Sequence, residues 1–239
     1  MSNPETNERP LGEIVEDTTP SSIPAAKEYA GEYVRLHPVE PERDVDELFH
    51  NSHGSDDKER LWTYMPYGPF ADKDEMRGWL TGCKASSEMI FFTVLSKSLN
   101  QRVGMISILN INPQMKTLEL GNIWYAPVVH FTMVNTEVIY LMLQEAFEVL
   151  KYRRVEWKCD ALNARSRTAA QRLGFSFEGI FRQHFIIKGR NRDTAWFAMT
   201  DKDWPGIKAN MKQWLYAGDG HPSLTALNKG LLQPTCQEI

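Results

Sequence analysis

The chain has 239 residues, 42% of them hydrophobic, which fits one well-cored domain with tails better than two full domains. With 27 basic and 31 acidic side chains the net charge is −4, a balance that calls for neither nucleic acid nor an anionic membrane surface as partner. Three widely spaced cysteines, Cys83, Cys159 and Cys236, make neither a disulfide framework nor a zinc pattern, and the six histidines supply no metal set, so a metal-free, reducing, cytoplasmic setting is the expectation.

Residues 1–28 are rich in Pro, Glu, Thr and Ser and lack an apolar run. That composition predicts a disordered or surface-draped segment, and neither a signal peptide nor a membrane span. From Tyr33 the character changes. EYVRLHPV reads as a first strand, and PERDVDELFHNS as a helix with Pro41 near its start. ADKDEMRGWLTGCKAS is a second helix, weakened by Gly78 and Gly82. MIFFTVLS, QRVGMISILNI and KTLELGNIWYA then read as successive strands.

The strongest helical pattern follows in TEVIYLMLQEAFEVLKY, where Ile139, Leu143, Ala146, Phe147 and Leu150 recur at helical spacing. Thr136 is placed to cap or enter this helix, and Glu137 to favour its N-terminal pole. Lys151, Arg153 and Arg154 read as a solvated helix end. RRVEWKCD alternates, with Val155, Trp157 and Cys159 on one side. NARSRTAAQRLGF is a helix that Asn163 can cap and Gly174 can end. FSFEGIFRQHFII and RDTAWFAMT are strands around the turn KGRN, and a last helix is expected from about Trp204 to Leu215.

The order describes an α+β (mixed α/β) domain. The strand–helix–strand unit from Thr117 to Cys159 should pair its strands in parallel. Ligands of such sheets sit where the carboxyl end of a strand meets the next helix N-terminus. Here that point reads WYAPVVHFTMVNTE, with no glycine, arginine or lysine.

The segment from about Glu119 to Trp204 resembles the GCN5-related N-acetyltransferase superfamily, and within it the ribosomal-protein N-terminal acetyltransferase-like (RimJ/RimL-type) branch common in fungi and bacteria. The residues that carry the resemblance are ELGNIWYAP, the run from Thr136 through NARSRTAAQRLGFSFEGIFRQH, and KGRNRDTAWFAM, with Asn163, Ser166, Gly174, Phe175, Glu178, Gly179 and Arg182 as the most specific set. It implies a mostly antiparallel twisted sheet with one splayed parallel pair, flanked by helices, over residues 29–205, with residues 206–239 as a C-terminal helix and tail. It further implies acetyl-CoA as co-substrate and a primary amine of a small molecule or a peptide terminus as acceptor, and points to a fungal chain.

In the family the cofactor pyrophosphate lies on a glycine-rich loop. Phe131 and Met133 depart from that pattern, since neither lets backbone approach a phosphate nor adds charge. The residues left to hold it are Thr132, Val134, Asn135 and Thr136, with Asn163 at the pantetheine. Alternatively, the cleft has been reused, for acid–base chemistry without CoA or for binding alone. By resemblance Glu119 is a water-relayed base and Ser166 an acid for the leaving thiolate, with surface carboxylate and local hydrogen bonding as their plain readings. Ala170 stands where many relatives carry a tyrosine acid. His130, a titratable group at the cofactor mouth, is a third catalytic candidate. Trp62, Tyr64 and Tyr67 in WTYMPYGPF, with His184, are candidates for the acceptor pocket; the plainer reading of the aromatics is core cover.

Overall fold

The computed structural model describes residues 9–218, 220 and 222–232; Cys236 and His221 lie outside them. In chain order the elements are β1 (Tyr29–Ala30), β2 (Val34–Pro38), α1 (Pro41–Ser52), α2 (Asp56–Glu59), α3 (Lys73–Ala85), β3 (Ile90–Ser96), β4 (Gln101–Asn112), β5 (Thr117–Tyr125), α4 (Met133–Gln144), β6 (Arg154–Asp160), α5 (Ala164–Arg172), β7 (Ser176–Ile187), β8 (Arg190–Thr200), α6 (Trp204–Tyr216) and α7 (Leu224–Leu227). Short 3₁₀ turns cover Arg60–Trp62 and Pro127–Val129, and a π turn over Glu145–Val149 extends α4.

All eight strands form one sheet in the order β1-β2-β3-β4-β5-β6-β8-β7. Every neighbouring pair is antiparallel except β5 and β6, which run parallel, as the crossover through α4 requires. Helices cover both faces. Leu118, Leu120, Val155 and Trp157 pack with α4 and α6 in the main core. Phe91, Met105 and Trp124 meet α1, α3 and Trp62 in a second core on the opposite face. Among the described residues no helix is long and apolar enough to cross a membrane.

Local chemistry sets the helix starts. Pro41 opens α1, and the buried Asp44 carboxylate accepts the Glu40 N–H at 2.7 Å while binding Arg43 and Arg102. Asp72 caps α3 by accepting the Asp74 and Glu75 N–H groups. Thr132, not Thr136, caps α4, which starts three residues earlier than its apolar repeat suggests. Glu137 does not face the helix pole. It is fully buried and accepts the N–H groups of Glu32, Tyr33 and Val34 at 2.7–2.8 Å, clamping the β1–β2 turn onto α4.

The basic cluster also divides differently. Arg154 belongs to β6 and binds Glu156 and Glu178, so it is part of a sheet-face ion network rather than a helix end. Residues 9–28 carry no helix or strand and run over the surface, where Ser21 donates to the Lys151 carbonyl and Asp17 meets Lys116.

Candidate active site

β5 and β6 pair over only Thr117–Arg154, Leu118–Val155 and Glu119–Glu156, then separate. Beyond Glu119, β5 stays with β4, while beyond Glu156, β6 stays with β8. The wedge between them is flanked by the N-termini of α4 and α5, capped by Thr132 and Asn163. Both poles carry partial positive charge and free N–H groups.

On β5, the pairs Ser107–Gly121 and Met105–Trp124 leave Ile106 of β4 opposite both Asn122 and Ile123, a β-bulge. Asn122 takes φ +53° there. Its side chain is held from two sides: it accepts the Tyr67 hydroxyl at 3.2 Å and donates to Ser107 Oγ at 2.8 Å. Burial holds the Tyr67 phenol well above its ordinary range, so it stays protonated as a donor.

The glycine-free loop keeps a glycine-type shape. Phe131 adopts φ +63° with its side chain fully exposed, so it is not a packing residue, whereas Met133 does pack on the core. His130 is half-buried, and its Nε2 lies 3.0 Å from the Tyr125 carbonyl, tying the loop back to β5. The Thr132 hydroxyl donates to the Val129 carbonyl at 2.7 Å and accepts the Val134 N–H at 3.3 Å. The first-turn amides of Met133 and Asn135 have no partner within the helix. Thr136 is fully buried and accepts Arg172 Nη2 of α5 at 2.7 Å, so its hydroxyl faces α5 and not the loop. Arg172 brings a guanidinium to the first turn of α4; it lies over the Trp214 ring, and desolvation lowers its pKa. The loop itself carries no cation, and Arg172 supplies one from another helix at the first turn of α4.

On the other arm, Asn163 Oδ1 accepts the Ser166 N–H at 3.1 Å, and Ser166 Oγ accepts the Trp157 indole N–H at 3.0 Å. Cys159 lies beside Ser166, its thiol pushed up by burial. Ala170 is fully buried.

Glu119 is on the opposite face and is only 6% exposed, so it is no surface carboxylate. Its Oε2 accepts Asn110 Nδ2 at 2.6 Å and Lys158 Nζ at 2.7 Å. Lys158 also meets Glu156 at 2.9 Å and sits 3.9 Å from the centre of the Trp196 ring. Arg154 links Glu156 to Glu178, extending the line of alternating charges across β5, β6 and β7. Glu119, Ser166 and His130 occupy three elements, and none hydrogen-bonds another.

The segment 62–70 bridges the wedge. Tyr67 reaches Asn122 on the β5 side, and Tyr64 donates to the Leu162 carbonyl after β6 at 3.2 Å. Trp62 is completely buried and gives its indole N–H to the Ser52 carbonyl, anchoring the segment from below rather than lining a pocket. Lys188, in the β7–β8 turn, donates to the Trp62 and Gly68 carbonyls. His53 Nε2 accepts the Phe70 N–H at 2.9 Å. His184 lies among Phe181, Phe185 and Trp196, its Nδ1 3.0 Å from Thr194 Oγ1. Among the described residues no group of three His, Cys, Asp or Glu side chains is disposed to hold a metal.

Asn110, Asn122, Lys158 and Arg172 are the site residues that sequence reading passes over. Only the alternation in RRVEWKCD, which puts Arg154, Glu156 and Lys158 on one face, hinted at any of them.

Comparison with known proteins agrees with this architecture. The profile of the Acetyltransferase (GNAT) domain matches residues 34–176. The crystal structure of a GCN5-related N-acetyltransferase from Brucella melitensis is 38% identical, covers 90% of this chain and 100% of its own, and superposes with a TM-score of 0.85. YdaF of Bacillus subtilis (strain 168), provisionally named a ribosomal N-acetyltransferase, is 29% identical over 105 residues, 44% of this chain and 57% of YdaF. RimJ of Mycobacterium smegmatis, solved in complex with CoA-disulfide, shares the fold at 21% identity and a TM-score of 0.64, covering 75% of this chain and 87% of its own. With the domain profile spanning more than half its length and a solved relative aligned over nearly all of it, the chain belongs to the GCN5-related N-acetyltransferase (GNAT) family.

Proposed function

We propose that this protein transfers an acetyl group from acetyl-CoA to a primary amine, with the N-terminus of a protein or peptide as the favoured acceptor and a small-molecule amine as the other class. The observation that carries the reading is the parting of β5 from β6 after three paired residues, with a capped helix N-terminus on each side. The name of YdaF, a ribosomal N-acetyltransferase, supports a protein acceptor.

Bound acetyl-CoA supplies the acetyl thioester; the chain supplies binding and proton traffic. The free amides of the α4 first turn and the Asn135 side chain would hold its phosphates, with the Arg172 guanidinium, bound to Thr136 of the same turn, adding positive charge beside them. This set replaces the glycines with a left-handed Phe131 and the loop cation with an arginine from α5. Asn163 and Ser166 flank the pantetheine arm. Backbone freed at the Asn122 bulge faces the oxyanion that forms as nitrogen adds to the thioester carbonyl. Glu119 takes the ammonium proton through a water, held in place by Lys158 and Asn110. Ser166 accepts from Trp157, so its own proton is available to the leaving thiolate as the C–S bond breaks. His130 serves mainly to fix the loop. Tyr64, Tyr67 and His184 border the acceptor side.

Calorimetric titration with acetyl-CoA and CoA, on the wild type and on Asn163→Ala, tests the cofactor half. Micromolar binding weakened in the variant is expected; absence of binding up to millimolar ligand removes the reading. Mass spectrometry of peptides with free and blocked N-termini tests the acceptor half.

A further inference from the structure

β7 is the last strand of the sheet, and among the described residues no strand pairs with its outer edge. Such an edge presents a row of unpaired backbone donors and acceptors, which folds usually blunt with short length, charge or cover. This one runs 12 residues, Ser176–Ile187. It exposes Ile180 (44%), Phe181 (50%), Phe185 (46%) and Ile186 (82%) to solvent.

The order of these residues is symmetric. Ile180-Phe181-Arg182-Gln183-His184-Phe185-Ile186 presents Ile, Phe and a basic side chain in the same sequence from either end about Gln183. The register on β8 gives each pair a shared face. Phe181 and Phe185 oppose Thr194 and Arg192, two residues apart, so both rings lie on one face. Ile180 and Ile186 oppose Ala195 and Asn191, four residues apart, so both lie on the other.

A two-fold interface needs this reciprocity, in which residue i meets j and j meets i. An antiparallel pair of β7 strands about an axis through Gln183, perpendicular to the sheet, sets Ile180 against Ile186 of the partner subunit and Phe181 against Phe185 of the partner subunit. Apolar contacts then form twice on each face. Sliding the register by two residues either way sets an Ile and a Phe of each strand against Arg182, Gln183 or His184.

The centre of the strand is a bulge. Arg182, Gln183 and His184 together oppose Asp193, and Gln183 takes φ +52° and gives its N–H to Asp193 Oδ1 at 2.8 Å. Backbone pairing is therefore confined to the two flanks, which carry the apolar residues, and the polar three meet at the axis.

We propose that β7 is a self-association edge, along which a second copy of this chain pairs antiparallel about Gln183 to join two sheets. The inference is independent of the catalytic reading. It brings the border formed by Phe181, His184 and Trp196 to the seam between subunits.

Size-exclusion chromatography with light scattering, on the full chain at micromolar to tenth-millimolar concentration, should give twice the 27.5 kDa chain mass. Phe185→Arg and Ile186→Lys, both at solvent-exposed positions, should each give a monomer with an unchanged far-ultraviolet circular dichroism spectrum. A second arm does not depend on tolerance of those changes. In a Cys236→Ser background, the double substitution Ile180→Cys and Ile186→Cys should form intermolecular disulfides under mild oxidation, because residues paired across the flanks lie about 4.5–5.5 Å apart at Cα, whereas the two positions in one chain are too far apart to bridge. A monomeric wild type overturns the proposal. So does a dimer that survives Phe185→Arg and whose double-cysteine form does not cross-link.

Discussion

Replacing Glu137 with alanine removes the one carboxylate that ties the β1–β2 turn and α6 to α4. Its Oε1 accepts the Glu32 N–H at 2.7 Å and the Tyr216 hydroxyl at 2.8 Å, and its Oε2 accepts the Tyr33 and Val34 N–H groups at 2.7 and 2.8 Å. The carboxylate is completely buried, and of its four donors the Val34 N–H is buried with it, while the Glu32 and Tyr33 N–H groups and the Tyr216 hydroxyl lie at a part-buried rim. A buried donor left without an acceptor costs about 1–3 kcal/mol, and a donor that water can reach costs less. The loss is therefore about 2–3 kcal/mol, a large share of the roughly 5–15 kcal/mol by which domains are stable. Gly31 belongs to the same arrangement, since a Cβ there would lie 2.2 Å from the Glu137 carboxyl carbon. Glu137→Gln keeps the shape but turns a donor toward backbone N–H groups, and should cost about half as much. Urea unfolding followed by far-ultraviolet circular dichroism should show a lower midpoint at an unchanged slope for both variants, with alanine the worse. A loss under about 1 kcal/mol for Glu137→Ala would refute the reasoning, because the donors would then have found other partners.

Four further outcomes are expected. Glu119→Gln should lower kcat about 10²–10⁴-fold with little change in KM, as the loss of a general base does, read by steady-state kinetics. Lys158→Met removes the ammonium that holds the Glu119 carboxylate in place, and should lower kcat with little change in KM, with Lys158→Arg restoring part of it, read by steady-state kinetics. Arg172→Gln should weaken CoA about tenfold or more by calorimetry, the scale of one charge-assisted phosphate contact, and leave binding of pantetheine without phosphate unchanged. His53 should make stability fall in acid. Burial lowers its pKa from 6.5, so its neutral form, which accepts the Phe70 N–H, contributes fully above 6.5 and is lost as pH drops through the lowered folded value; His53→Gln should flatten the melting temperature against pH in that window.

Much of the fold is legible because periodicity reports which side of an element is dry. The helix read at PERDVDELFHNS has the observed bounds, and the alternation of RRVEWKCD is the observed burial of β6. What escaped is short or shared between elements. β1, α2 and α7 are too brief to show a period. Thr132 and Thr136 look alike as caps in a string of letters, and only the path of the loop assigned one to the helix start and the other to Arg172.

By itself, the sequence determined a mixed α/β domain with a single parallel crossover, the position of the loop between β5 and α4 and the absence of glycine and positive charge within it. Those follow from local propensity, from side-chain spacing and from the geometry that forces a helix between parallel strands. Tertiary structure alone decided that Arg172 reaches the first turn of α4 from α5 and that Phe131 takes the left-handed turn before it. It also decided that Glu119 is buried against Asn110 and Lys158, and that Glu137 binds backbone 103 residues away. Charge pairing and desolvation depend on distances through space, which a chain acquires only once its strands and helices have packed.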